Sequence, residues 1–327
     1  MLTISTTNRL DDFVILITGG LGFIGSHLVR SLLDAGHRCV ITTRGSSPIP
    51  ESLAVDLGER LFVERLDMAD ERDWRTLGQR HPVTAIVHLA AAGIDVDPLE
   101  QVRRNTSGLF NLLGAAAEWN LERILLASTI GVYADGRSVA PYREDAPLPM
   151  TGLHGIQASK KVVEIIADLA DRTSERRIIS LRLSAVWGPR GNASSPFFAL
   201  PRLVHAAVHG QPSRIVGTDA IDLLYVKDCA DAIASVLTSD RLTHTVYNVG
   251  SGRATSNAEV ANAVAAVIPA ADIVVEDAGG ADRSALASPA SYLDISRLRG
   301  DTGFSPRYGL ERGISDYVGW LLAGHEK

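Results

Sequence analysis

The run Thr18-Gly-Gly-Leu-Gly-Phe-Ile-Gly25 decides the fold, because of what lies on either side of it. It follows a continuous apolar segment, Phe13–Thr18, that is typical of a buried strand, and it opens the helical pattern of Ile24–Ala35. Glycines in such a turn permit a tight bend and the close approach of a pyrophosphate, and free N–H groups at the helix N-terminus favour that anion. An ordinary strand-to-helix turn is the alternative. The run predicts a dinucleotide site whose first residues are Gly19, Gly22, Phe23, Ile24 and Gly25.

Segments of two kinds alternate after this turn. Long helical patterns cover Pro98–Trp119 and Ala158–Arg172. Short β-rich runs lie at Cys39–Thr43, Leu61–Leu66, Thr84–Leu89, Arg123–Ser128 and Ile178–Leu183. This alternation predicts an α/β fold with a doubly wound parallel sheet of the Rossmann type.

The alternation of strands and helices loosens after residue 186. We therefore predict a dinucleotide-binding domain over residues 1–186 and a smaller C-terminal substrate lid over residues 187–327. The strand 221–226 is expected to rejoin the first domain. A lid of this kind closes over the carboxyl ends of the strands, where ligands bind in such sheets.

The end of the second predicted strand bears on the choice of cofactor. An acid at this position binds the ribose 2′-OH of NAD, but the sequence here is Thr42-Thr43-Arg44. An arginine with neighbouring hydroxyls suits a 2′-phosphate, so Thr43 and Arg44 predict NADP, with NAD as the other possibility. Asp67, after the third strand, is placed to accept from the adenine amino group.

Composition excludes several classes of function. A formal net charge of -6 argues against a nucleic-acid surface. The two cysteines, Cys39 and Cys229, lie outside any Cys/His cluster, so neither a disulfide framework nor a metal site is expected. The sequence has no apolar stretch of about 18 residues and no basic start before an apolar run. We therefore expect a cytoplasmic protein without membrane or nucleic-acid partners.

Motifs spread along the chain make it similar to a known family. Besides the glycine-rich turn they are His88-Leu-Ala-Ala-Ala, Asn105-Thr-Ser-Gly-Leu-Phe-Asn, Ser128-Thr-Ile-Gly-Val-Tyr, Ala158-Ser-Lys-Lys, Arg182-Leu-Ser-Ala-Val-Trp-Gly-Pro, Tyr225-Val-Lys-Asp and Tyr247-Asn-Val-Gly-Ser-Gly. The chain resembles the extended short-chain dehydrogenases/reductases, the NAD-dependent epimerase/dehydratase family. The resemblance implies a nicotinamide cofactor whose ribose Lys160 holds, with a cofactor set completed by Asp67, Met68, Leu89, Ala90, Ala91 and Asn105.

The resemblance also implies a catalytic trio, and one member of it is absent. The family uses a Ser or Thr, a Tyr, and a Lys four residues after the Tyr. Thr129 and Lys160 match, but the Tyr position is Ile156, which has no proton to exchange. Three substitutes are open: Thr129 with Lys160 or a water, the titratable His154, or a neighbouring hydroxyl of the substrate. Ser128, which ends the fifth strand, is a further catalytic candidate.

A second departure concerns the substrate. Members that act on nucleotide sugars often carry an Arg four residues before the Tyr of the Tyr225-Val-Lys-Asp motif, where it clamps the diphosphate. Ile221 stands there, and Arg283 or Arg190 would have to compensate. The change favours an apolar or polyketide-like carbonyl substrate, which Phe197 and Phe198, expected in a lid helix, would suit.

These observations predict an NAD(P)-dependent oxidoreductase. The first hypothesis is a ketoreductase that passes a hydride from NADPH to a non-nucleotide carbonyl compound with an unusual proton donor. A nucleotide-sugar epimerase or dehydratase and a non-catalytic NADP-binding sensor are the alternatives. The expected partners are a small-molecule substrate and a second copy of the chain, because relatives dimerise through a four-helix interface formed by the helices at Pro98–Trp119 and Ala158–Arg172.

Overall fold

The structure, a computed structural model, describes residues 14–45, 47–93, 96–121, 123–134, 140–276 and 291–324. The chain divides into two compact units. The first unit consists of Met1–Ala127 with Gly152–Ser180, and the second of Ser128–Thr151 with Leu181–Lys327. The predicted domain boundary after residue 186 stays a prediction.

Seven strands form the main sheet, in the order β11-β6-β5-β4-β1-β2-β3. The pairs β1–β2, β1–β4, β2–β3 and β4–β5 are parallel. The predicted α/β fold with a Rossmann-type parallel sheet is confirmed. The strands within the described residues are β1 (Val14–Thr18), β2 (Arg38–Thr43), β3 (Leu61–Arg65), β4 (Ala85–His88), β5 (Arg123–Thr129), β6 (Arg177–Leu183), β7 (Ala185–Trp187), β8 (Ser213–Val216), β9 (Ala220–Ile221), β10 (Leu223–Tyr225), β11 (Val246–Val249), β12 (Thr255–Ser256) and β13 (Ile273–Glu276).

Helices separate most of these strands along the chain. A 3₁₀ helix, Ile130–Tyr133, follows β5. The α-helices within the described residues are α1 (Phe23–Asp34), α2 (Glu51–Ala54), α3 (Glu71–Arg80), α4 (Pro98–Glu118), α5 (Gly155–Arg172), α6 (Leu200–Val208), α7 (Val226–Thr238), α8 (Asn257–Val267), α9 (Ser296–Thr302) and α10 (Leu310–Leu322). The two long helices predicted from periodicity correspond to α4 and α5.

The first unit has its own hydrophobic core. All five residues of β1 are buried, which explains why that strand is apolar without alternation. Leu16 of β1 and Ile86 of β4 pack in one cluster with Leu109 and Leu112 of α4. The residues of α5 that join this cluster are Val163 and Ala167, one turn apart on one helix face.

The second unit has a separate core around a short parallel pair of strands. β10 pairs with β7, and Trp187 and Tyr225 contact each other edge-on at a ring-centroid distance of 4.8 Å. Residues of α6, α8 and α10 complete the cluster, among them Leu203, Val264 and Ile314. These helices are amphipathic, and they bury their apolar faces by packing against one another.

Two details of the sequence interpretation are corrected. The strand predicted at 221–226 does not join the main sheet: its β10 part pairs with β7, and the strand that joins the main sheet is β11. Phe197 and Phe198 precede α6 rather than lying in a helix, because the helix begins at Leu200 with a proline in its first turn. In the described part of the chain, every helix is too short or too polar to cross a membrane.

Candidate active site

The glycine-rich turn is packed too closely against neighbouring backbone to hold side chains at Gly19 and Gly25. Gly19 has a φ of 74°, and a Cβ on it would lie 2.9 Å from the Ala90 nitrogen. A Cβ on Gly25 would lie 2.2 Å from the Gly19 oxygen and 2.8 Å from the Gly20 Cα. Gly22 closes the turn by donating its N–H to the Gly19 oxygen at 2.9 Å. Glycine at these positions therefore lets the backbone make the tight turn that a pyrophosphate site requires.

The N-terminus of α1 follows this turn directly. The helix starts at Phe23 and Ile24, and its first turn contains no acidic residue. Within the described residues, no side chain caps it by a hydrogen bond. Its N–H groups and the positive end of its dipole suit a bound anion, so this part of the chain fits a dinucleotide.

A hydrogen-bonded pair, absent from the sequence-based site, connects the ends of β1 and β4. Thr18 Oγ1 lies 2.6 Å from His88 Nδ1, and the Ala90 N–H donates to the same hydroxyl at 3.3 Å. The Leu89 N–H donates to the Thr18 carbonyl at 3.1 Å, whereas Ala91, two residues later, is exposed. These bonds fix the backbone that faces Gly19. The signal for them was the His88 motif, whose first residue was not considered as a site residue.

The end of β2 forms an exposed turn. Thr43 Oγ1 donates to the Gly45 carbonyl at 2.7 Å and accepts from the Gly45 N–H at 3.2 Å. Arg44 lies exposed between them. The hydroxyl proposed for a 2′-phosphate is thus used in the turn itself.

Asp67 and Met68 follow β3. Asp67 is exposed, and its Oδ1 accepts from the Ala69 N–H at 2.9 Å. The Met68 carbonyl accepts from Asn111 Nδ2 at 2.9 Å. The Met68 side chain is the nearest contact of a Cβ built on Gly108 of α4, at 3.2 Å. The segment is therefore held against α4 by main-chain and side-chain contacts.

Asn105 connects three parts of the first unit. Its Oδ1 accepts from the Ala92 N–H at 2.8 Å, and its Nδ2 donates to Ser159 Oγ at 2.7 Å. Gln101, one turn earlier on α4, donates to the carbonyls of Ala92 and Gly93 at 3.1 and 2.8 Å. The amides of α4 thereby fix the segment after β4 and the helix that carries Lys160.

Lys160 is partly buried, and its Nζ donates to the Ala127 carbonyl at 2.6 Å. Burial lowers the pKa of Lys160 to about 8, although the nearby Glu164 carboxylate opposes that change. Burial, together with the charge of Lys160, lowers the pKa of His88 to about 3, so His88 is neutral. Ile156 lies one turn before Lys160 on the same face of α5 and is half-buried.

His154 has a structural role at the start of α5. It is the N-cap residue, and its Nδ1 accepts from the Gln157 N–H at 3.2 Å. Burial lowers the pKa of His154, which favours the neutral ring that this bond requires. A ring whose Nδ1 accepts a backbone proton carries its own proton on Nε2, so in this tautomer it can donate but not accept at Nε2. The structure weakens His154 as a replacement base.

The predicted hydroxyls lie in the second unit. Thr129 is the N-cap of the 3₁₀ helix, and its Oγ1 accepts from the Gly131 N–H at 3.2 Å. Ser128 is buried at the end of β5. Tyr133 donates to Asn248 Oδ1 at 2.8 Å, and burial raises its pKa to about 12. A buried phenol with this pKa is a poor acid, so Tyr133 belongs to the packing of the second unit.

The position expected to carry a phosphate-binding arginine lies in a tightly bonded segment of the second unit. Ile221 pairs with Thr255, and the following Asp222 is fully buried. Asp222 accepts from the Ser251 N–H and hydroxyl, both at 2.7 Å, and burial raises its pKa. Arg190 is half-buried with a φ of 68°, and burial lowers its pKa. Arg283 lies outside the described residues.

Within the described residues, we find no cluster of three or more His, Cys, Asp or Glu side chains that could hold a metal ion. The first unit brings together the glycine turn, the end of β4, Ala127 of β5, Asn105 and Lys160. The second unit holds Ser128 and Thr129. The assignment of these residues to cofactor and catalysis stays a prediction.

Comparison with known proteins decides the family. The family model of the NAD dependent epimerase/dehydratase family matches residues 15–250. The chain belongs to this family. It is therefore of the extended short-chain dehydrogenase/reductase type, and its relatives are NAD(P)-dependent enzymes.

Three similar proteins show the range of relatives. A UDP-glucose 4-epimerase of Azospirillum brasilense is 30% identical over 92% of this chain and 89% of its own length. The structure of Thermus thermophilus UDP-glucose 4-epimerase with NAD is 26% identical, with a TM-score of 0.76 and coverage of 94% of this chain and 98% of that one. A UDP-N-acetylglucosamine 4-epimerase of Methanobrevibacter ruminantium, in complex with UDP-N-acetylmuramic acid, is 25% identical, with a TM-score of 0.82 and coverage of 96% and 99%.

These relatives correct the functional prediction. The prediction of a ketoreductase acting on a non-nucleotide carbonyl compound is wrong, because the similar proteins are nucleotide-sugar epimerases. One side chain, Ile221, is not a sufficient sign of the substrate. A diphosphate can be bound by other donors, so the loss of one arginine does not decide the class of substrate.

Proposed function

We propose that the protein is an NAD-dependent 4-epimerase of a UDP-hexose. The observation that carries this proposal is the 30% identity to a UDP-glucose 4-epimerase over 92% of the chain. The fit of the glycine turn to a dinucleotide supports it. Epimerisation at one carbon requires a hydroxyl to be oxidised and the resulting ketone to be reduced from its other face.

The first unit supplies the residues that would hold the cofactor. The turn at Gly19–Gly25 and the N-terminus of α1 offer N–H groups to the pyrophosphate. Asn105 keeps the segment after β4 in place, and the Lys160 amine is available for ribose hydroxyls when it leaves the Ala127 carbonyl. When bound, NAD⁺ accepts a hydride from the sugar carbon and returns it.

Thr129 is the residue we propose for orienting the reacting hydroxyl. Its Oγ1 accepts from the Gly131 N–H, a bond that does not use its own proton. The proton can therefore be donated to the sugar oxygen. Ser128 and His154 stay weaker candidates, since Ser128 is buried at the strand end and His154 caps α5.

We propose NAD rather than NADP as the cofactor. The Thermus epimerase structure holds NAD. The Thr43 hydroxyl, on which the prediction of NADP depended, bonds to Gly45 within its own turn. Arg44, the other residue on which that prediction depended, is exposed.

We also propose a homodimer through α4 and α5. Both helices expose large apolar side chains: Leu99 and Phe110 on α4 are 80% and 57% exposed, and Ile165 and Leu169 on α5 are 59% and 63% exposed. Soluble monomers rarely leave large apolar patches exposed, and a second copy of the same surface would cover them.

Incubation with UDP-glucose tests the proposed reaction. The purified protein, loaded with NAD⁺, should form UDP-galactose, which chromatography separates from UDP-glucose. UDP-N-acetylglucosamine is the second substrate to test, and an aromatic ketone with NADPH is the control. Conversion of neither UDP-sugar by an NAD-loaded protein would overturn the proposed function.

A further inference from the structure

The end of β5 and the first turns of α5 contain a partly buried amine where the family pairs an amine with a phenol. Lys160 Nζ donates to the Ala127 carbonyl at 2.6 Å, two residues before Thr129 in the chain. Ile156, one turn away on the same face, contributes only hydrocarbon. The charge of Lys160 therefore has no tyrosinate at position 156 to stabilise.

The surroundings of Lys160 favour the neutral amine more than water does. The groups that interact with it are the Ala127 carbonyl, the neutral ring of His88 and the Glu164 carboxylate on its own helix. Burial outweighs the carboxylate and lowers the pKa of Lys160 to about 8. An amine with this pKa is partly neutral at a pH slightly above 7 and can bind a proton without a large cost.

Lysine is rare among the basic residues of this chain. Only four of its 32 basic residues are lysines: Lys160, Lys161, Lys227 and Lys327. An arginine at position 160 could hold ribose hydroxyls as a permanent cation, but it could not exchange a proton. Position 160, which is partly buried, carries a cation that can titrate.

We infer that the Lys160 amine itself takes the proton from the reacting sugar hydroxyl and later returns it, in place of a tyrosine at position 156. This inference rests on the proposed function for its substrate. It assigns to Lys160 a catalytic role in addition to the ribose contact that the family resemblance implies.

The proposed step is balanced in atoms and electrons. The sugar O–H bond breaks and its proton binds the lone pair of neutral Lys160 Nζ, which becomes an ammonium. The C–H bond at the same carbon breaks with its electron pair, and that hydride goes to NAD⁺ while the C=O bond forms. In the second half the hydride returns to the other face, and the ammonium gives its proton back to the oxygen.

The direction of the pH dependence separates this role from a purely structural one. If the neutral amine is the base, kcat falls as the pH drops below the pKa of Lys160 and rises to a plateau above it. If Lys160 acts only as a cation that holds ribose, cofactor binding and activity are lost as the pH rises through the same value. The two roles therefore predict opposite slopes near pH 8.

Competitive labelling measures the amine without any substrate. The protein is acetylated by a trace reagent between about pH 6 and pH 10, and the modified lysines are quantified by mass spectrometry. Lys227, a partly exposed lysine that pairs with Asp316, is labelled in the same reaction and serves to normalise the reagent. We expect the labelling of Lys160 to reach its half-maximum near pH 8, well below the ordinary lysine value of about 10.4. Labelling of Lys160 that reaches its half-maximum only near that ordinary value would overturn the inference, even if UDP-glucose is epimerised.

Substitution at position 160 then tests the proton transfer itself. Lys160→Ala should lose roughly 10²-fold to 10⁴-fold in kcat, and small primary amines should restore activity in proportion to their basicity. Lys160→Arg keeps the charge and should retain bound NAD, but its kcat should stay as low as that of Lys160→Ala. Lys161→Ala is the matched control on the same helix, and thermal unfolding checks that each variant folds.

The outcomes for this inference and for the proposed function are distinct. A kcat for Lys160→Arg within about tenfold of the wild type, or a kcat that falls above pH 8, would exclude Lys160 as the base. Failure of the unmodified protein to convert UDP-sugars would instead overturn the proposed substrate. The labelling result for Lys160 would not be affected.

Discussion

Ile156 is the residue at which this chain departs furthest from the chemistry of its family. If Lys160 exchanges the proton, a phenol at position 156 adds a second acid that the reaction does not need. We expect Ile156→Tyr to change kcat with UDP-glucose by less than about tenfold, well under the 10²-fold to 10⁴-fold typical of restoring a general acid.

Ile156→Phe is the matched control, because it adds the ring without the hydroxyl. Ile156 is half-buried, so both variants place similar bulk in the same space. A gain of a hundredfold or more for Tyr over Phe would show that the site is a damaged version of the usual one. Steady-state kinetics on both variants, with bound NAD quantified, supplies the comparison.

Arg44 tests the choice between the two cofactors at the same scale. Because Arg44 is exposed beyond the Thr43 turn, Arg44→Ala should change the Kd for NAD by less than about fivefold, the equivalent of about 1 kcal/mol. Titration calorimetry with NAD⁺ and NADP⁺ gives both constants, and the exposed Arg241→Ala is the control. Tighter binding of NADP⁺ than of NAD⁺ by the unmodified protein would contradict the proposed cofactor.

At the scale of the element, the junction of β1 and α1 is the segment proposed to bind the cofactor. A methyl group on Gly25 would lie 2.2 Å from the Gly19 oxygen, so Gly25→Ala must push the turn away from the helix. We expect this variant to lose bound NAD by at least about tenfold in affinity, because the N–H groups no longer face one pyrophosphate. Absorbance of the cofactor released on denaturation measures the loss.

Gly319→Ala on α10 is the control for the glycine substitution itself, since a Cβ there meets nothing within 4 Å. It should keep its NAD and unfold at the same or a higher temperature, because alanine is the better helix former. Equal NAD content in the two variants would show that the turn does not need a glycine at position 25.

Elements whose sequence signal lies within one segment could be predicted, whereas pairings between distant segments could not. The continuous apolar run of β1 and the helical spacing of α4 lie within one segment, so both were found from the sequence. Helix α5 begins at Gly155 rather than Ala158 because the His154 ring caps it, and histidine is an uncommon cap. The pairing of β10 with β7 and the entry of β11 into the main sheet are long-range choices, which a local pattern does not contain.

The candidate site shows the same division. The glycine turn, Asn105 and Lys160 were predicted because they lie in motifs of characteristic spacing. The Thr18–His88 pair joins residues 70 positions apart. The burial that lowers the pKa of Lys160 exists only in the folded first unit. The substrate was predicted wrongly from Ile221, because a single position was taken to represent a whole binding surface.

The oligomeric state is the question that belongs to the whole molecule. Large apolar side chains cost free energy in water at about 25 cal/mol per Å² of exposed apolar surface, so a second copy that covers Phe110 and Ile165 is stabilised. We expect the unmodified protein to sediment as a dimer and the double variant Phe110→Glu/Ile165→Glu to sediment as a monomer, because each copy would then bring carboxylates into the interface.

Val55 supplies the control for that change. It is 79% exposed and lies just after α2, away from α4 and α5 in the sequence, so Val55→Glu places a carboxylate at an exposed apolar position without altering the proposed interface. Sedimentation velocity over a range of concentrations distinguishes the three proteins. A monomer for the unmodified chain would remove the dimer proposal, whereas dissociation of the Val55→Glu variant alone would place the interface on a different surface.

Because the residues that would hold NAD lie in the first unit together with α4 and α5, bound NAD should also be measured in the monomeric variant. If NAD is retained after dissociation, the cofactor site is complete within one copy.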